Sequence, residues 1–202
     1  MTPSTASHER TVSVSLPEGW TVADPTDPTA WSRGTDAVRG VLRQRGHDRA
    51  ARAGVVLAAS CRQRLPDGTT FAVDLSVALR RTGVQAPPPT PTMLRAAMLG
   101  TGRGTSEEVV RPLGSPTVEE LPVGTGVRQR GVATFRARGG LVVQLLVDRF
   151  VIPVDGALLI ADFRTPHVGD HEQLGPLFTA IAATLEVYGT PDPVHVPGQA
   201  SS

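Results

Sequence analysis

Two neighbouring stretches near the C-terminus restrict the fold more than any other part of the chain. From Leu141 to Pro153, Leu141, Val143, Leu145 and Val147 alternate with Val142, Leu146, Phe150 and Ile152, so both sides of an extended segment are apolar. After a tight turn at Val154-Asp155-Gly156, Leu159, Ala161 and Phe163 oppose Leu158 and Ile160 in a second such segment, Ala157 to Arg164. A strand that is apolar on both faces is covered on both faces. These two are therefore expected to be the central strands of a sheet, with helices or loops packed on each side. Behind them, Leu174, Leu177, Phe178, Ile181, Ala182 and Leu185 recur at spacings of three and four, which predicts an amphipathic helix over Asp170 to Tyr188.

The rest of the chain supplies partners for this unit. Val12, Val14 and Leu16 share one face of a half-buried strand, Thr11 to Leu16, closed by Pro17-Glu18-Gly19, with Trp20 folding back onto the core. Asp27-Pro28 has the form of an N-cap followed by proline at the first helical position, and the helix behind it turns Trp31, Val38, Val41 and Leu42 inward. The clearest hairpin pairs Val55, Leu57, Ala59 and Cys61 with Phe71, Val73, Leu75, Val77 and Leu79 around a turn at Pro66-Asp67-Gly68. The opposite side of its second strand, Thr70, Ala72, Asp74, Ser76 and Ala78, is small and polar and is expected to be solvated or thinly covered. Pro87-Pro88-Pro89 and Pro91 form a stiff connector, and a short helix runs from Thr92 to about Leu99, stopped by Gly100. Short strands follow near Glu108 to Leu113 and Gly126 to Phe135. Residues 1–10 and the proline-rich residues 190–202 read as disordered tails around a single domain, 11–189.

A chain of this length buries roughly 70% of its unfolded surface as one domain. With 40% hydrophobic and 19% charged residues the composition is that of an ordinary globular protein, and a net charge of +1 argues against a dedicated nucleic-acid or membrane-surface role. Every basic side chain except histidine is arginine, as in high-GC coding. Cys61 is the single cysteine, which excludes an intramolecular disulfide and a thiolate metal cage. The polar segment Met1 to Arg10 lacks the apolar run of a secretory signal, and the Leu141 segment is broken by Gln144, Asp148 and Arg149, so a soluble cytoplasmic protein is expected.

Few residues carry the marks of chemistry. Gly100, Gly102 and Gly104 follow a helix rather than a strand, the reverse of a dinucleotide loop, and read as a flexible loop. His167, Asp170 and His171 could place metal ligands before the last helix; the competing reading makes Asp170 an N-cap, with Gln173 completing a capping-box-like pair. Cys61 sits on an apolar strand face and reads as structural. Glu107-Glu108 and Glu119-Glu120 are adjacent pairs in Gly/Pro-rich surroundings, expected in solvated loops. The cluster Arg39, Arg43, Arg45, His47, Arg49 and Arg52 reads as a solvated helix end, with its arginines as the candidate partner-binding patch.

The strand ending Leu16-Pro17-Glu18-Gly19-Trp20 and the middle hairpin are joined at the C-terminus by a further pattern. A long strand closes on Pro153, then come Asp155-Gly156-Ala157-Leu158-Leu159-Ile160, Phe163-Arg164-Thr165-Pro166 and a helix with Phe178, Ile181, Ala182 and Leu185. This arrangement, over about residues 11–189, resembles the PsbP-like family, which includes the Ran-binding Mog protein and actinobacterial members of unassigned role. The resemblance implies an α+β fold, an antiparallel sheet sandwiched between helices. It also implies a mostly non-enzymatic role, as in extrinsic photosystem subunits, a small-GTPase partner and chaperones of secreted effectors. The acidic patch of the Ran-binding branch has no counterpart here. The expected function is thus a non-catalytic binding or accessory domain acting through a protein partner, chaperone-like or secretion-associated, without cofactor or metal. The alternative is a small-molecule binder or enzyme with a pocket between sheet and helices, where His167, Asp170 and Arg149 would converge.

Overall fold

The computed structural model describes residues 10–23, 54–82, 88–100, 108–136 and 142–189. The expected tails apart from Arg10, the helix after Asp27-Pro28, the Gly102 and Gly104 loop and the arginines from Arg39 to Arg52 lie outside the described residues. Within them the chain forms β1 (Thr11–Ser13), β2 (Trp20–Ala23), β3 (Val55–Arg64), β4 (Thr70–Arg81), α1 (Pro91–Gly100), β5 (Glu108–Pro112), β6 (Thr117–Leu121), β7 (Gly124–Arg136), β8 (Val142–Val154), β9 (Ala157–Thr165), α2 (His171–Ala182) and β10 (Glu186–Tyr188). The architecture is a mostly antiparallel sheet with two helices: eight strands in one sheet, ordered β2-β3-β4-β9-β8-β7-β5 with β6 also on β7, and a separate β1–β10 ribbon.

β8 and β9 occupy the middle of the sheet, where their two-sided apolar pattern demanded. Their hairpin closes with Val154 opposite Ala157, leaving a two-residue loop, Asp155-Gly156. Gly156 takes a φ of +67°, a conformation that a side chain with a Cβ rarely adopts. On the face that carries α2, Leu146, Phe150, Ile152, Leu159, Ala161 and Phe163 join Val73, Leu75 and Val77 in one continuous core. Phe178 of α2 stacks on Phe163 with ring centroids 4.6 Å apart, and Phe150 meets Phe163 edge-on. The alternate residues Val151, Ile160, Leu158 and Val127 lie on the reverse face, where Leu94 and Met98 of α1 pack on them. A third cluster, Ala133, Val143, Leu145 and Val147, lies on that reverse face toward the other end of β7 and β8.

The C-terminal helix is shorter than its periodicity predicts. It ends at Ala182, and Leu185, although spaced as a helical residue, is buried after a turn. Thr184 makes the break: its hydroxyl donates to the Ile181 carbonyl and accepts from the backbone N–H of Ser15, tying the chain to the N-terminal segment. Glu186, Val187 and Tyr188 then pair with Ser13, Val12 and Thr11 as strand β10. The capping box also does not form. Asp170 precedes α2 without a side-chain capping bond, because Val168–Asp170 is a 3-10 turn leading into the helix. Glu119 and Glu120 are in strand β6 rather than a loop, and side chains of adjacent strand residues point to opposite sides.

Candidate functional site

The sequence-derived polar cluster is only partly assembled. His167 stacks on Phe71, and its Nδ1 lies 3.8 Å from a carboxylate oxygen of Asp170. Its Nε2 lies 3.2 Å from both the N–H of Ala72 and the carbonyl of Thr70. β4 outruns β9 there, since their pairing begins at Asp74, and the imidazole takes the place that a further β9 residue would fill. His171 enters α2 at its first residue, and its carbonyl accepts a hydrogen bond from Arg130. Arg149 does not join this group. It is on the reverse face and forms a two-pronged pair with the directly opposite Asp162, at 2.5 and 2.7 Å. Among the described residues no three His, Cys, Asp or Glu side chains gather around a point that one metal ion could share.

Two other charge networks emerge from the strand register. Arg128 donates through Nε and Nη2 to the two oxygens of Asp148, at 2.8 and 2.5 Å, and also to Thr179 Oγ1 and the Gly175 carbonyl of α2. Its guanidinium lies 5.0 Å from the Phe150 ring centroid, a cation–π distance. Arg130 adds a second contact to Asp148 at 3.4 Å, and Glu119 approaches Arg128 at 3.9 Å. A Cβ at Gly175 would sit 2.7 Å from the Arg130 guanidinium, the movable end of a partly exposed side chain, so Arg130 packs directly over the backbone of α2 there. Burial pushes the Asp148 carboxyl up, and the hydrogen bond and charge of Arg128 pull it part of the way back. On the reverse face Arg149, Asp162, Arg164, Asp74 and Arg62 form a ladder, a belt of charge, across four strands. Arg164 is 3.8 Å from Asp162, and Arg62 is 2.5 Å from Asp74. Burial likewise raises the Asp74 carboxyl against the pull of Arg62 and Arg164. The Cys61 thiol is buried and raised by desolvation, as expected of a small core side chain.

No protein-family model and no curated protein matches the chain. Among solved structures it is similar to the cyanobacterial PsbP (CyanoP) of Synechocystis sp. PCC 6803, at 12% identity and a TM-score of 0.49 over 93% of this chain and 98% of that one. It is also similar to LpqN, involved in cell envelope biogenesis of Mycobacterium tuberculosis, at 11% identity and a TM-score of 0.46 over 93% of this chain and 87% of that one. No helix among the described residues is long and apolar enough to cross a membrane.

Among the described residues, a cleft of about 510 Å³ that the sequence did not point to lies beside the β1–β10 ribbon. Its walls are Pro122-Val123 of the β6–β7 turn, Pro153 and Val154 at the end of β8 with Asp155 of the turn after it, Leu185 to Gly189, and Arg10. Neither helix contributes to it, so it is not the pocket between sheet and helices that the alternative reading required. Glu186 accepts hydrogen bonds from Ser13 and Tyr188, and the Tyr188 hydroxyl is correspondingly held above its ordinary pKa. The signal for this cleft was available only in part: two prolines flank the paired turns, but β10 was hidden inside a helical spacing.

Proposed function

We propose that this chain is a non-catalytic binding or accessory domain that works through contact with a protein partner. The observation that carries the reading is where its buried charge goes. Arg128 and Asp148 are spent on each other, Arg128 bonds the backbone of α2 as well, and the ladder from Arg149 to Arg62 pairs across strands. Groups that an enzyme would direct at a substrate here hold the layers together, while the cleft combines proline, valine and leucine with Arg10, Asp155, Glu186 and Tyr188. We further read the fold as a helix-covered sandwich of PsbP-like or Mog-type form. Support comes from α1 and α2 meeting opposite faces of β8, through Val151 and through Phe150 respectively. A cytoplasmic, secretion-associated chaperone is the specific version of this role.

The test is affinity capture of the tagged full chain from its native extract, with cross-linking and mass spectrometry. The expected result is a near-stoichiometric protein whose cross-links map to one patch of the described surface, and for the chaperone version an exported protein. Absence of any partner above an unrelated bait, with saturable uptake of a metabolite instead, overturns the reading in favour of small-molecule binding. Cell fractionation tests the compartment independently.

A further inference from the structure

We infer that the outer edge of β10 accepts an extended peptide, which joins the β1–β10 ribbon as a third strand inside the adjoining cleft. The inference rests on the protein-contact reading and names its surface. Its first support is geometric. Leu185, Glu186, Val187, Tyr188 and Gly189 all line the cleft. Successive residues of a strand face opposite sides, so a space that touches all three residues of β10, with Leu185 before and Gly189 after them, runs along the strand's edge, not over one of its faces.

The second support is hydrogen bonding. Among the described residues β10 pairs only with β1, in the register Thr11 to Tyr188, Val12 to Val187 and Ser13 to Glu186. Alternate residues of an antiparallel strand direct their N–H and C=O to opposite edges. Part of the β10 backbone is therefore aimed into the cleft, and an unpaired edge is a template for another strand. The far wall is the poorer edge, because Pro122 and Pro153 lack the N–H that a strand needs, and beside Asp155 the side chains of Pro122, Val123, Pro153 and Val154 supply apolar surface. One wall that hydrogen-bonds and one that is apolar suit a peptide whose backbone bonds to one side and whose side chains pack on the other.

Charge narrows the occupant. Asp155 stands exposed at the β8–β9 turn, Arg10 lines the cleft beside β1, and Glu186 is already engaged by Ser13 and Tyr188. The partner is thus an extended apolar segment of another protein that carries a basic residue to meet Asp155 and an acidic one to meet Arg10. β10 spans about 10 Å at roughly 3.3 Å per residue, so three to five peptide residues make the contact.

The experiment pans a displayed library of random peptides of about ten residues against the full chain. The best binder is then resynthesised with single backbone N-methyl groups at each position. Strand addition predicts that N-methylation weakens binding by about tenfold at alternate positions and little at those between. Asp155→Arg, a change in an exposed turn, is expected to weaken the same peptide by about tenfold as well. Failure to enrich any peptide, uniform tolerance of N-methylation, or unchanged binding to Asp155→Arg each overturns the inference. The broader reading fails separately. A captured partner whose cross-links lie away from Leu185 to Gly189 leaves protein contact standing and removes this cleft as its site.

Discussion

Under α2 the sheet buries Arg128 and Asp148 among phenylalanines, whereas on its reverse face the ladder from Arg149 to Arg62 runs only partly buried between two apolar clusters. The same strands, β8 and β9, supply residues to both. The difference is access to water: the Arg128 and Asp148 side chains are 7% and 1% exposed, those of Arg149 and Asp162 34% and 12%. A dry pair depends wholly on its partner for compensation, while a wet one retains solvent and screening as an alternative. Ion pairs of similar geometry on two faces of one sheet should therefore differ widely in what they contribute to stability.

The largest expected effect follows from breaking the dry pair. Asp148→Ala leaves the Arg128 charge beneath α2 with only the more distant Glu119 carboxylate, 3.9 Å away, and is expected to cost about 3–5 kcal/mol in denaturant unfolding. Replacing both partners by apolar residues, Arg128→Met with Asp148→Leu, is expected to return stability to within about 2 kcal/mol of the parent chain. The Gly175 carbonyl keeps the Thr179 hydroxyl as its donor in that variant, and Arg130 is open enough to be hydrated. If the double variant is no better than Asp148→Ala, the pair acts through its shape and not its charge, and the contrast between the faces loses its basis.

A second effect probes the apolar cluster next to the belt. Leu94 of α1 is buried against Val127 and Val151, and Leu94→Ala is expected to cost about 2–3 kcal/mol. Met93, one residue away but 61% exposed, serves as the internal control, with Met93→Ala expected within about 0.5 kcal/mol of the parent. Equal losses at the two positions would mean that α1 does not pin this face of the sheet.

These contrasts also mark what could be read without coordinates. The central place of β8 and β9 was legible because period-two burial on both sides admits one solution. The hairpin at Pro66-Asp67-Gly68 was legible because its turn chemistry is local, and the structure closes it with Leu65 N–H donating to Thr69 O and Gly68 N–H to Leu65 O. β10 was not, since Leu185 continues the helical spacing and only the contact of Thr184 with Ser15, far away in sequence, ends the helix. The Arg128–Asp148 pair depends on the register of β7 against β8, which no local pattern encodes. One signal did exist: Asp148 interrupts Leu146, Phe150 and Ile152 on a face already judged to be covered, and a buried carboxylate requires a cation. The belt was foreshadowed by the small polar face of β4, but its arginines come from three other strands.

On the reverse face, Arg149→Gln breaks a pair whose cation is one-third exposed, so the expected loss is at most about 1 kcal/mol. That loss should shrink as salt is raised toward 1 M, where the screening length falls to about 3 Å. The same salt series on Asp148→Ala should leave its deficit almost unchanged, because the dry pair is not reached by solvent ions. Parallel salt dependence in the two variants would erase the distinction on which the comparison rests.

The smallest effect is a pH dependence, and its sign decides which force governs the belt. Burial raises the Asp74 carboxyl above its ordinary value in spite of Arg62 and Arg164. A carboxyl that is raised on folding binds its proton more readily in the native state than in the unfolded chain. Its stabilising contribution is then fully present below the unfolded pKa and is lost as pH rises through the folded one. Asp74→Asn removes that titration. The stability of the parent chain relative to Asp74→Asn, followed as Tm in closely spaced buffers from the acid range upward, should therefore be highest at the acid end and decline toward neutrality. A relative stability that grows with pH means that attraction to Arg62 and Arg164 outweighs desolvation. The partly buried ladder would then behave as a net stabilising network, unlike the pair buried under α2.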